Sequence, residues 1–265
     1  MQVRFKVSLQ GSMRLWALSD PHLTFGAPSK VMHVFGENWR DHPARIAENW
    51  SRLVAPEDIV LVPGDISWAG NLEHALSDLH FLDRLPGTKV ILPGNHEHWW
   101  ASTSHVRRNL PPSMRALDGD HLVLGPWLFY GTRLWEDPEN DVERLIDWHP
   151  APPRISREKR EQNARLYGRE LARLEQCLMG LPAGEGLKRV CLTHFPPLGA
   201  SLEPSRASRL IVDSGASLCV FGHLHTIRRE HLPPRGDLLG TAHGVRWVLA
   251  SADYRNFTPI LLDEQ

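Results

Sequence analysis

Cysteine is scarce in this chain. Cys177, Cys191 and Cys219 are the three present in 265 residues, and no pair has CxxC or zinc-type spacing. An odd count without such spacing supports neither a disulfide framework nor a structural zinc site. Cys191 and Cys219 sit in the apolar runs RVCLTH and SLCVFGH, where cysteine serves as a small buried hydrophobe. Long apolar runs are missing as well. The longest, Leu122 to Tyr130, is broken by Gly125 and Pro126, well short of the roughly 18 residues that cross a bilayer. Arg4 and Lys6 are followed by no apolar signal region, so the expectation is a reduced, cytoplasmic chain without a membrane partner. There is no excess of either charge: 30 Lys+Arg stand against 31 Asp+Glu, a net −1. That removes the cationic surplus on which nonspecific nucleic-acid affinity depends. Absent, finally, are repeats, low-complexity tracts, GxSxG, P-loop and GxGxxG, which leaves serine hydrolase, NTPase and dinucleotide-binding readings without support.

What the chain has in abundance is histidine and tryptophan, 15 and 10 residues. Imidazole is the commonest side-chain metal ligand, so the histidines direct attention to a metal site. Short apolar runs recur, each ending in ligand-capable residues. They are Leu15 to His22 (LWALSDPH), Ile59 to Asp65 (IVLVPGD), Val90 to His96 (VILPGNH), Val190 to His194 (VCLTH) and Leu218 to His225 (LCVFGHLH). Unalternating runs of this length are strands buried on both faces. Helical patterns lie between them at roughly 43–54, 71–85 and 156–180, which predicts an α/β chain with its ligands beyond the carboxyl ends of the strands. In the third helix Ser156 is the N-cap, and Tyr167, Leu171, Leu174 and Leu178 form the apolar stripe. Its Glu158, Glu161, Glu170 and Glu175 are expected on the solvated face. Further strands are expected at Phe129 to Thr132, Val245 to Ala250 and Pro259 to Leu262, making a second sheet packed on the first. Residues 126–155, with five prolines among Trp127, Trp135 and Trp148, read as an inserted loop region. Residues 1–12 alternate like an edge strand, yet Met13 directly precedes the first strong strand and is equally a start. The chain from 13 to 265 reads as a single domain.

Each motif alone is weak, since Asp20-x-His22 is a common pairing and Asp65 after Gly64 is an ordinary turn residue. His223 and His225, two apart, project to one side of an extended segment. Together, Asp20, His22, Asp65, Asn95, His194, His223 and His225 all fall at the ends of successive strand-like runs. Gly64, Gly94 and Gly222 precede three of them, where a missing Cβ permits close backbone approach. Carboxylate, imidazole and amide oxygen without thiolate suit Mn²⁺, Fe or Zn²⁺.

In this order, Asp-x-His, Gly-Asp, Gly-Asn-His-Glu, a lone His and Gly-His-x-His, the motifs resemble those of the calcineurin-like metallophosphoesterase superfamily. The segments PGDISWA, GNHEHWW and GTRLW are most similar to a bacterial subgroup of predicted phosphohydrolases. The resemblance runs from about Leu15 to the last strand. It implies two mixed β-sheets packed as a sandwich between helices, in four layers, around a dinuclear centre. It also implies that Asp20, His22 and His225 hold one divalent ion, that Asn95, His194 and His223 hold the other, and that Asp65 bridges them. Mn²⁺ is the first choice of metal. A bridging hydroxide would attack a small phosphomonoester or phosphodiester, with catalytic His96 beside the scissile phosphate. Two positions depart from the family pattern: Trp68 stands where a second acid is common, and Glu97 where Asp is usual. Neither is a ligand in the family scheme, but both bear on how His96 is oriented.

His98, Trp99, Arg133 and Trp135 are candidate substrate-binding residues at the rim, since aromatic and guanidinium groups suit a nucleotide or aryl ring. His33 and Trp39 are further rim candidates. Trp68 and Trp100 are equally well read as core packing. Rival functions are a nuclease or lipid-phosphate hydrolase of the same chemistry, which would need a basic groove or an exposed amphipathic insert. A non-catalytic protein-binding scaffold on the same fold is the other rival. It would be free to lose ligands, and here all seven positions and His96 are filled.

Overall fold

The computed structural model describes residues 12–138, 140–148, 155–182, 186–228, 230 and 239–265. Apart from Ser12, the segment expected as an extra edge strand or a false start lies outside them. Among the described residues, eleven strands form two sheets. The first has the order β11-β1-β2-β3-β4, from Ile260–Glu264, Arg14–Ala17, Ile59–Pro63, Thr88–Leu92 and Met114–Ala116. The second has the order β5-β6-β7-β8-β10-β9, from Asp120–Leu124, Trp127–Thr132, Lys188–Thr193, Leu218–Phe221, Val245–Leu249 and Gly240–Ala242. The strands inside each sheet run parallel, and antiparallel β11, β5 and β9 close the flanks, so both sheets are mixed.

Alternation along each strand builds the layers. Leu15, Ala17, Ile59, Leu61, Val90 and Leu92 of the first sheet meet Phe129, Val190, Leu192, Val220 and Val248 of the second in a dry interior. The intervening residues point outward. Trp16, Val60, Val62 and Ile91 pack under Ile46 and Trp50 of α1 (His42–Leu53), Leu79 and Leu82 of α2 (Leu72–Asp83), and Val106 of α3 (Thr103–Asn109). Tyr130, Cys191, Cys219 and Trp247 lie under Tyr167, Leu171 and Leu174 of α4 (Arg157–Met179) and Ile211 of α5 (Arg206–Asp213). The result is helix, sheet, sheet, helix. All three cysteines are free and buried. Among the described residues no helix is long and apolar enough to cross a membrane.

The three helices read from periodicity form close to their expected bounds, and Ser156 caps α4 by accepting from the Lys159 N–H. Three expectations need correction. The last strand joins the first sheet rather than the second: β11 pairs antiparallel with β1, with Arg14 opposite Glu264 and Ala17 opposite Ile260. Without it, β1 would be an open edge with unpaired backbone groups. Glu170 is not on a solvated face. It is 1% exposed and accepts from Arg173 Nη1 at 2.8 Å and Arg133 Nη2 at 3.4 Å, and those guanidiniums take the place of water. The supposed loop region 126–155 begins with β6, fully buried inside the second sheet. After Thr132 it carries, among the described residues, one 3-10 turn at Val142–Leu145.

Candidate metal centre

The five parallel strands β1, β2, β3, β7 and β8 end together, and the loops leaving them interlock. Asp20 N–H donates to Gly64 O at 3.0 Å, His22 N–H to Asp65 O at 3.0 Å, and Gly222 N–H to His194 O at 3.1 Å. Ser19 bridges to Ser251, which ties the two sheets at this end. Four residues here adopt left-handed backbone conformations disfavoured for side chains: Asp20 (φ 55°), His22 (φ 43°), Asp65 (φ 51°) and His223 (φ 70°). Such strain costs of order 1–3 kcal/mol each and persists where the surroundings enforce it, commonly at functional sites. The enforcing contacts are visible. A Cβ on Gly94 would lie 2.5 Å from the Asp65 backbone nitrogen, and one on Gly222 would lie 2.9 Å from Ser19 Cβ. Only glycine lets these loops approach so closely.

The side chains form two clusters. Donor atoms of Asp20, His22 and His225 lie within 4.8 Å of one another, and so do those of Asp65, His194 and His223. Asn95 Oδ1 joins the second group, 2.8 Å from His194 Nε2 and 3.0 Å from His223 Nδ1. One atom faces both clusters. Asp65 Oδ2 is 3.4 Å from His194 Nε2 and 3.8 Å from His22 Nε2. The ring nitrogens are aimed by their other contacts: His194 Nδ1 donates to Pro63 O at 3.0 Å, and His225 Nδ1 to Asp253 Oδ1 at 2.8 Å. A donor set so arranged, nitrogen and oxygen without sulfur and with ring orientation held from behind, fits a divalent ion in each cluster. His22 lacks such a contact and is held instead by the Trp39 and Trp68 rings. Its Nδ1 is buried without a hydrogen-bond partner, while its Nε2 lies 3.2 Å from His225 Nε2 in the cluster.

The buried groups shift one another strongly. Burial pushes the Asp20 carboxyl upward, whereas Asp65, which burial would also raise, is held well below the usual range by His194, His22 and His96. His194 and His225 rise to about 9 because Asp65 and Asp253, respectively, outweigh their burial. His22 falls to about 3 through burial. Asp20 and Asp65 are both buried, and a divalent cation here would supply positive charge to both carboxylates.

His96 stands beside the clusters, with Nε2 3.9 Å from Asp65 Oδ2 and a side chain 31% exposed. Trp68, at the departed acid position, packs against its ring at 4.1 Å and also stacks on His22 at 5.3 Å. An aromatic plate therefore orients His96 where a carboxylate was the alternative. Glu97 has a different task. Its carboxylate accepts the backbone N–H groups of Gly94 (2.5 Å), Asp65 (2.8 Å), Ile66 (2.7 Å) and Ser67 (3.2 Å), clamping the two loops that carry Asp65 and Asn95.

The rim expectations divide. Trp99 is 2% exposed and part of the core beside Val106, so it is no rim residue; Trp100 packs on it at 5.4 Å. The short turn after Glu97 carries Trp99 inward under the first sheet, where burial of a large ring wins. Trp39 is likewise buried, edge-on to His22 and His225, and supports both rings. His33 and His98 are exposed. Arg133 is held over the Trp135 ring at 4.8 Å and paired with Glu170, so it braces α4. Trp135 does line a cleft of about 690 Å³ that has His223 in its wall. Asp253 escaped sequence reading altogether. It stands alone after β10 in a turn of ordinary composition, and only its proximity to His225 marks it.

Fold and site together define a class: metal-dependent phosphoric ester hydrolases. Residues 13–226 match the calcineurin-like phosphoesterases, and the chain belongs to that family. A phosphopantetheinyl hydrolase from Mycobacterium tuberculosis has a similar structure, with a TM-score of 0.53 at 18% identity, covering 96% of this chain and 98% of that one. The protein TT1561 of Thermus thermophilus gives 0.52 at 13%, covering 95% and 99%. At such identities the likeness is one of fold. In sequence, the Gene 66 protein of Mycobacterium phage D29 is 34% identical over 83 residues, 31% of this chain and 40% of the phage protein. The match thus spans less than half of that relative.

Proposed function

We propose that this protein hydrolyses small phosphomonoesters or phosphodiesters at a centre of two divalent ions, with manganese preferred over iron or zinc. The observation that carries the reading is Asp65 Oδ2, placed 3.4 Å from His194 Nε2 and 3.8 Å from His22 Nε2. A carboxylate oxygen between two nitrogen-rich clusters suits a bridging ligand. Asp20, His22 and His225 would hold one ion, and Asn95, His194 and His223 the other. When bound, the pair supplies positive charge for a phosphate anion and an acidified water for attack. The chain's own residues then orient and move protons. His96, partly exposed at the mouth and fixed by Trp68, stands where it could stabilise the phosphate or protonate the leaving oxygen. Residues 13–265 act as one unit, since both sheets contribute donors, and the three buried free thiols accord with a cytoplasmic location.

A scaffold role is disfavoured because all seven donors and His96 are retained, and four of the donors, Asp20, His22, Asp65 and His223, sit in strained backbone positions that binding another protein would not require. The test is hydrolysis of p-nitrophenyl phosphate and bis-p-nitrophenyl phosphate with Mn²⁺, beside Asp65→Ala. Turnover of either ester, lost in the variant and on chelation, is the expected result. No turnover and no bound metal in the unaltered protein would overturn the enzyme reading.

A further inference from the structure

We propose that the organic part of the ester docks in the cleft beside His223, and that this cleft selects a flat ring that carries no negative charge. The inference rests on the phosphoesterase reading and deepens it. The cleft encloses about 690 Å³, and His223 lies in its wall. Pockets for small molecules are commonly of about 300–1,000 Å³. An ester whose phosphate rests at the donor clusters therefore has this space directly beside it.

The wall is aromatic in sequence away from the centre. Phe195 packs on His223 at 4.1 Å, and Trp135 packs on Phe195 at 4.8 Å. Val142 and Ile146 add aliphatic surface. The aromatic wall is also held rigid before any ligand arrives. Asn163 of α4 accepts from Trp135 Nε1 at 3.2 Å through its Oδ1 and donates to Glu136 through its Nδ2, so both ends of the amide are engaged. A pre-formed aromatic wall favours ring stacking over a flexible chain, whose ordering costs more entropy. Charge argues against a polyanion. Among the described residues, Glu136, Asp137 and Glu143 line the cleft with Arg160, and Lys159 acts on Glu136 from beside it; the three carboxylates outnumber these two cations, so a polyphosphate or a strand of nucleic acid would meet net repulsion.

The experiment is calorimetric binding of three non-hydrolysable probes to the Mn²⁺-loaded full chain: methylphosphonate, benzylphosphonate and 4-carboxybenzylphosphonate. Benzylphosphonate should bind about tenfold tighter than methylphosphonate, the scale of one aromatic stacking contact. The added carboxylate should weaken it again. Val142→Trp, which fills the cleft, should erase the benzyl advantage and leave methylphosphonate unchanged. Trp135→Leu, which removes a ring without adding bulk, should erase it by the opposite route. Equal affinity for the methyl and benzyl probes overturns the proposal, as does an advantage that survives both variants. A carboxylate that costs nothing overturns the charge selection. Turnover of phosphate esters without ring preference would sink this inference alone. Ring-selective binding without any turnover would sink the phosphoesterase reading alone.

Discussion

Asp253 Oδ1 lies 2.8 Å from His225 Nδ1, and the same carboxylate accepts the Thr226 N–H at 3.1 Å through Oδ2. One buried acid after β10 thus fixes both the ring and the backbone of the last histidine in the donor set. Asp253 lies beyond residue 226, where the family match ends. A carboxylate behind a ligating imidazole orients the ring and raises its basicity. Asp253→Asn should weaken Mn²⁺ binding about 10–100-fold with the fold intact. Titration against a competing chelator, beside a circular dichroism spectrum, measures this; unchanged affinity would remove the orienting role.

Glu97 clamps the Asp65 and Asn95 loops through four backbone N–H groups. In Glu97→Gln an amide NH₂ would confront donors that need an acceptor. Leaving one buried donor unsatisfied costs about 1–3 kcal/mol. Urea unfolding of the metal-free protein should show a loss of that size, and bound metal should fall as Asp65 loosens.

On the proposed reading His96 would help the leaving oxygen, and Asn in its place would keep the size without the proton. General acid help is worth about 10²–10⁴-fold. His96→Asn should therefore slow hydrolysis of an alkyl phosphate by that order. The loss should be smaller for p-nitrophenyl phosphate, whose leaving group needs little protonation. Metal content should not change. Equal losses on both esters would point instead to stabilisation of the phosphate itself.

Lys89 in β3 is 0% exposed, with Nζ donating to Leu85 O and Ser113 Oγ, far along the strand from the donor clusters. Burial pulls its pKa from the ordinary 10.5 down to about 8. Between those values the unfolded chain binds the proton more fully than the folded one, so stability rises with pH across that window. Below about 8 both states are charged and the cost of burying the charge is complete. The stability difference between the wild type and Lys89→Met, followed by urea unfolding, should shift in favour of the wild type from about pH 8 to 10.5. A flat difference would show that the ammonium is solvated.

The seven donors were legible because each follows an apolar run that is itself a strand, and strand ends in such sheets converge. The helices were legible where the stripe is long, as in α4. The short strands Met114–Ala116 and Gly240–Ala242 were not, because three residues carry no period. Trp99 was misread for a related reason: proximity to a motif places a residue near the site in sequence, and a short turn decides whether its ring faces solvent or core. Glu170 looked like its neighbours on α4, and only the arrival of Arg133 from β6's far end makes its burial tolerable.

By itself the sequence determined the alternation of strands and helices, the identity of the donor atoms and the glycines that let them approach. These are local matters of side-chain chemistry and backbone freedom. The tertiary structure decided which donors share a cluster, that Asp253 stands behind His225, that Trp68 rather than an acid braces His96, and that a cleft opens beside His223. Those relationships join residues distant in sequence, 203 positions apart in the case of His22 and His225. Nothing in local propensity encodes them. They arise when two sheets stack, because burying their apolar faces against each other sets the distance between everything at the strand ends.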